Sequence, residues 1–147
     1  MSVLKFAISA LVILGVIGVI GFFILGISSQ NGSAPGLSDG RLAACPNSPN
    51  CVSSEDGVSA DKAAAPFPLE SWNRLPAAIV SIGGTVTITQ DDYLAAEFKS
   101  ATFGFVDDLE LRKADDAVHV RSASRVGYSD AGANAARVAN LRKALSD

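Results

Sequence analysis

The chain has 147 residues, 48% of them hydrophobic, and a formal net charge of −3 from 12 Lys and Arg against 15 Asp and Glu. That length holds one domain of ordinary size, and the excess of acid speaks against a protein built to bind nucleic acid. Two cysteines and a single histidine, His119, fall short of a four-ligand zinc site.

Phe6 to Ile27 is a run of twenty-two residues without a charge. As a helix it is about 33 Å long, enough to cross a bilayer. Lys5 precedes it and no Lys or Arg follows until Arg41. By the positive-inside tendency the N-terminus is cytoplasmic and the rest lies in the periplasm or an equivalent exterior. Residues 1–27 therefore read as an uncleaved anchor in the membrane. A cleaved signal peptide is the rival, with Gly26-Ile27-Ser28 as a small-x-small pattern, but signal cores usually run about 7–15 residues. Gly15, Gly18 and Gly21 are spaced by three rather than by the four of helix-dimer motifs, so they read as lipid-exposed.

Residues 28–41 begin with SSQNGSAPGLSDG and read as a flexible linker by composition. Asn31-Gly32-Ser33 matches a glycosylation acceptor, relevant only in a eukaryotic secretory setting. The domain proper is expected over residues 42–147. It opens on CPNSPNC, Cys45 to Cys51. Two thiols in a short, proline-constrained loop favour a Cys45–Cys51 disulfide if the segment is exported, with metal binding as the weaker alternative. Leu42-Ala43-Ala44-Cys45 resembles a lipoprotein cleavage box but is separated from the apolar core by the polar linker.

Val52 to Glu55 reads as a short strand. From Leu69, the positions Trp72, Leu75, Ile79 and Ile82 form an amphipathic helical stripe. Pro76 belongs in the first turn of such a helix or at a kink, and Gly83-Gly84 ends it. Trp72 reads as core packing.

Two hairpins follow. Thr85–Gln90 and Tyr93–Ser100 join through a loop that includes Gln90, which pairs Ile88 with Leu94 and Val86 with Ala96. Val106–Lys113 and Ala117–Arg125 join through Asp115-Asp116, which pairs Glu110 with Arg121, Leu111 with Val120, Arg112 with His119 and Lys113 with Val118. Period-two alternation pins the second register, because a slip of one residue would place the charges in the core. Leu109, Leu111, Val118 and Val120 then share one face. The other carries Tyr93, Glu97, Lys99, Asp108, Glu110, Arg112, His119, Arg121 and Arg125, and is expected to meet water. VGYSDAG, Val126–Gly132, is a loop, and Asp130 or Asn134 is placed to cap a last helix over about Ala133–Leu145. The fold class is α+β: a transmembrane helix, then a small antiparallel sheet of about four strands packed with two helices.

Three patches together, CPNSPNCVSS (45–54), FGFVDDLELR (103–112) and RSASRVGYSDAGANAARVANLRKAL (121–145), resemble domain of unknown function family 1499. The resemblance spans roughly Leu42 to Leu145. This chain departs from the family's pattern at Ala133 and at Ala135-Ala136, where a leucine or valine and a basic pair are usual. The resemblance implies a compact α+β domain and transfers no catalytic residues.

The residues themselves offer three functions. Arg121 and Arg125, with the loop residues Tyr128, Ser129 and Asp130, make a candidate anion site, since planar guanidinium binds phosphate or carboxylate through paired hydrogen bonds. Arg125 in particular faces Val106 across the hairpin and has no evident acidic partner. A purely structural or protein-interaction domain is the second reading. An enzyme using Asp108, Glu110 and His119 is the least supported, because no nucleophile–base, nucleotide or metal motif accompanies them. No cofactor is implied. The expectation is a non-enzymatic binding or assembly module, with a small anion or a protein as partner.

Overall fold

The computed structural model describes residues 2–146. In chain order the elements are α1 (Ser2–Ser29), β1 (Leu37–Ser38), β2 (Arg41–Leu42), β3 (Cys51–Ser53), β4 (Phe67–Pro68), α2 (Leu75–Ser81), β5 (Thr85–Thr89), β6 (Tyr93–Lys99), β7 (Val106–Lys113), β8 (Ala117–Ser124) and α3 (Ala133–Ser146). The architecture is α+β. A six-stranded antiparallel sheet runs β3-β8-β7-β6-β5, with β4 also paired to β8. The four expected strands are β5 to β8. Two short ones, β3 and β4, extend the sheet beyond β8.

The β7–β8 register is the one the alternation dictates, with Glu110 opposite Arg121, Leu111 opposite Val120 and Lys113 opposite Val118. In β5–β6, Val86 does face Ala96, but Ile88 faces Ala95 rather than Leu94. An irregularity between Val86 and Ile88 shifts the pairing by one, the effect of a bulge residue in an antiparallel ladder.

One sheet face carries Leu94, Ala96, Leu109, Leu111, Val118 and Val120, all buried. Helices α2 and α3 cover it with Leu75, Ile79, Val138 and Leu141. A 3-10 stretch over Leu69–Arg74 leads into α2, whose first turn takes Pro76, where its missing amide leaves no bond unmade. Gly83, at a φ of +89°, turns the chain out of the helix. Trp72 packs at the edge of this core.

The middle of the opposite face is not open to water. Residues expected to form a linker instead carry the β1–β2 hairpin, with Leu37 opposite Leu42. Ala34, Leu37 and Leu42 pack on Tyr93 and Ala95 and roof the middle of the sheet. Asp108 is 3% exposed, Glu110 0% and Arg121 7%. The expected set of side chains does share a face, but its middle, Tyr93, Asp108, Glu110 and Arg121, is interior, while Glu97, Arg112, His119 and Arg125 are partly buried and Lys99 at the edge is exposed.

The last turn of α1 is part of the domain. Gly26 lies so close to the loop before β7 that a Cβ there would sit 1.8 Å from the Phe103 carbonyl oxygen. Ser29 Oγ donates to the Gly26 carbonyl (2.6 Å) and accepts from the Val106 amide (3.0 Å). Gln30 Nε2 donates to the Gly104 carbonyl (3.1 Å). Phe22 and Phe23 meet Phe103 at ring-centroid distances of 5.3 and 5.1 Å.

Because the obstacle at Gly26 is backbone, a side-chain shift cannot relieve it. Gly26→Val should separate helix from domain, at a cost of about 1–3 kcal/mol by analogy with overpacking. Hydrogen exchange on the detergent-solubilised full chain checks this: the Val106 amide should lose protection, while amides inside β7–β8 keep theirs.

Candidate functional site

The interior polar face is a set of ion pairs. Glu110 accepts from Arg121 Nη1 (2.9 Å), Tyr93 Oη (2.8 Å) and the Gly36 amide (2.9 Å). The last of these ties the roof to the sheet. Burial, then the hydrogen bond and charge of Glu110, push the Tyr93 hydroxyl far above its ordinary pKa. Arg112 forks onto Glu55 (2.8 and 3.1 Å), and the same carboxylate accepts from the Leu42 amide (3.1 Å). Burial would raise the pKa of Glu55, but the bonds from Arg112 and Leu42 outweigh it and hold the pKa below the ordinary value.

Arg125 differs most from expectation. Its Nε and Nη2 donate to Asp108 (2.8 and 2.7 Å), Nη2 reaches Glu97 (2.5 Å), and Nη1 donates to the Ser29 carbonyl (3.1 Å). The directly opposite residue is indeed not acidic. Its acids are the diagonal neighbour Asp108 and, opposite Asp108 on the next strand, Glu97. Neither Arg121 nor Arg125 presents a free guanidinium to an anion. His119 lies elsewhere on the face, with Nδ1 3.1 Å from the Ser54 carbonyl oxygen. Among the described residues, Arg121 Nε is the only buried side-chain polar atom without a partner.

The cysteine loop, the end of β8 and the start of α3 meet at Asn134, which is fully buried. Its Nδ2 reaches the Asn50 carbonyl (3.0 Å), Ser124 Oγ (3.1 Å) and Asp130 Oδ2 (2.7 Å). Its Oδ1 accepts from Ser122 Oγ (2.7 Å) and from Arg137 Nη1. Arg137 in turn pairs with Asp107 (2.6 Å), and Asn50 Nδ2 donates to the Gly127 carbonyl (2.8 Å). Cys45 and Cys51 form the expected disulfide, closing the loop that carries Asn50. Asp130 caps α3 by accepting from the amides of Gly132 (3.0 Å) and Asn134 (2.8 Å). Burial works to raise its pKa, yet these bonds hold it below the ordinary aspartate value.

This node joins residues from all three sequence patches. A family model described as "Protein of unknown function (DUF1499)" matches residues 41–145. The chain belongs to that family. No curated protein and no solved structure matches it. In this DUF1499 domain, Asn50, Asp107 and Asn134, one residue from each patch, thus belong to a single junction of loop, strand and helix.

The open feature nearby is a cleft of about 490 Å³ between the 126–133 loop and the end of α1. Tyr128, Ser129 and Asp130 line it, as do Phe22, Leu25 and Phe105. Tyr128 is 76% exposed. The predicted site therefore divides: its loop residues border the cleft, whereas its arginines serve the interior face. Sequence reasoning missed the helix residues Phe22 and Leu25, because period and composition assign them to lipid alone. It also missed Glu55 and Glu97 as partners, because each reaches its arginine from a different segment or strand.

Two outcomes follow. Arg125→Gln leaves Asp108 buried without its cation, so it should destabilise the chain by about 3–5 kcal/mol, as breaking a buried pair typically does. Urea denaturation measures it, and a change within about 0.5 kcal/mol, usual for surface sites, would refute this structural role of Arg125. Asp130→Ala should cost about 1 kcal/mol at pH 7, typical of a lost cap. The folded-state pKa of Asp130 is depressed. Its contribution is therefore present above the unfolded aspartate pKa and is lost as pH falls through the folded value. The difference between wild type and Asp130→Ala should accordingly shrink in urea titrations taken into that acid range.

Proposed function

We propose that this chain is a single-pass, membrane-anchored interaction module, N-terminus cytoplasmic, with its domain held against the outer face of the bilayer. Helix α1 is long and apolar enough to cross a membrane. The observation that carries the reading is that the end of this helix is a structural component of the domain. Gly26 and Ser29 are buried in it, and Arg125 binds the Ser29 carbonyl. Cleavage after Gly26-Ile27-Ser28 would leave Phe103 and Phe105 without Phe22 and Phe23, so the junction favours an anchor that is kept.

The role is non-enzymatic binding or assembly. Asp108 and Glu110 are each committed to a buried arginine, which leaves neither free to move a substrate proton. An anion at Arg125 would have to displace the carboxylates already bound there, and Arg121 is buried against Glu110. The geometry therefore favours a ligand or partner met at the helix–domain junction over an anion met on the sheet.

Alkaline phosphatase, active only outside the cytoplasm, tests the topology when fused after Asp147. An active fusion is expected. An inactive one beside a fluorescent-protein fusion that glows at the same point would reverse the orientation. Intact-mass measurement of the membrane-extracted chain should recover residues 1–27, and a mass beginning near Ser28 would remove the anchor.

A further inference from the structure

The cleft beside α1 deepens that reading and rests on it. It is bounded on one side by Phe22 and Leu25, about half exposed along the helix, and on the other by Phe105, Val126 and Ala133. Its volume of about 490 Å³ falls within the roughly 300–1,000 Å³ of small-molecule sites, and its mostly apolar walls are of the usual kind.

Depth identifies the occupant. The charge-free segment begins at Phe6, and the hydrocarbon core of a bilayer takes up about 20 helical residues. The outer hydrocarbon boundary then falls near Leu25, on the wall of the cleft itself. The groove is therefore continuous with the lipid-facing surface of α1, with acyl chains as its immediate neighbours. Ser129 and the exposed Tyr128 flank it on the domain side, at the level where tyrosine rings sit among lipid headgroups.

We propose that this cleft takes one acyl chain of a bilayer phospholipid, with the 126–133 loop at headgroup level. The lipid then forms part of the seam between anchor and domain. A chain in the cleft covers apolar surface on both walls that otherwise meets water at the membrane edge.

The full chain is reconstituted in vesicles of phosphatidylcholine containing a phospholipid with a photoactivatable diazirine in one acyl chain. Peptide mass spectrometry after illumination should show label on the 126–133 segment as well as on α1. Ala133→Trp and Val126→Trp fill the cleft from different positions. Each variant that keeps the wild-type melting temperature should lose loop label while α1 stays labelled. Label on α1 alone in the wild type, or loop label unchanged in a folded variant, would overturn the proposal. So would loop label from a diazirine fatty acid without any from the phospholipid, which identifies a free acid as the occupant. Crosslinking of two copies through this loop would instead assign the cleft to a second chain and equally overturn it. The phosphatase fusion and intact mass fail separately: if residues 1–27 are absent, the anchored reading itself falls.

Discussion

Arg125 is the point on which the two parts of the molecule depend. One guanidinium joins the end of α1, through the Ser29 carbonyl, to Asp108 on β7 and Glu97 on β6, while Arg125 itself is the first residue after β8. A buried charge is tolerable only when it is paired and its hydrogen-bonding groups are filled. Here all three guanidinium nitrogens are engaged, Nε and Nη2 by the fork of Asp108, Nη2 also by Glu97, and Nη1 by the Ser29 carbonyl. The helix end, two strands and the loop after β8 must all be in place before that condition holds.

The rest of the interior polar face obeys the same constraint. Arg121–Glu110 and Arg112–Glu55 lie beneath the β1–β2 roof, and each acid also accepts from a backbone amide of the roof, Gly36 or Leu42. Such pairs add modest net stability against desolvation, but removing the roof would leave the carboxylates short of donors. Coverage of the sheet is thus enforced by polar satisfaction as much as by Leu37 and Leu42. This explains how a segment rich in Ser and Gly can be ordered: its backbone provides donors to buried acids, a role that composition does not reveal.

What the sequence made legible follows from how local each signal is. The β7–β8 register was readable because period-two alternation and a two-residue turn agree. The disulfide and α3 were readable because they lie within a few residues of their cause, and the cap was narrowed to Asp130 or Asn134, of which Asp130 serves. The partners of Arg125 were not, since a search for the directly opposite residue stops at Val106. The acids stand on the diagonal and one strand further, positions within reach of a long side chain. The shift at Thr87 escaped for a related reason, because a bulge leaves the hydrophobic pattern of β5 nearly unchanged. Of the candidate site, the loop Tyr128–Asp130 was found and its other wall was not. Phe22 and Leu25 are more than a hundred residues away in a segment that reads as lipid-facing throughout.

The junction also resolves a problem intrinsic to α1. Every helix leaves its last carbonyls without internal donors, and at a membrane surface water or headgroups ordinarily supply them. At this helix end the residues that follow at once and one arginine of the domain supply them: the amides of Gln30, Asn31 and Gly32 close on the carbonyls of Ile27, Ser28 and Ser29. Ser29 Oγ and Gln30 Nε2 reach the Gly26 carbonyl, and Arg125 reaches that of Ser29. A guanidinium at this end also meets the negative pole of the helix dipole, an arrangement worth up to about 2 kcal/mol when partly buried. The same contact that neutralises Asp108 and Glu97 therefore caps the helix. Close approach is needed for both, and Gly26 permits it, since any larger residue would push the helix away from Phe103. Helix α1 and domain are in this sense one folded unit, and the orientation of the sheet relative to the axis of α1 is set by the last turn of that helix.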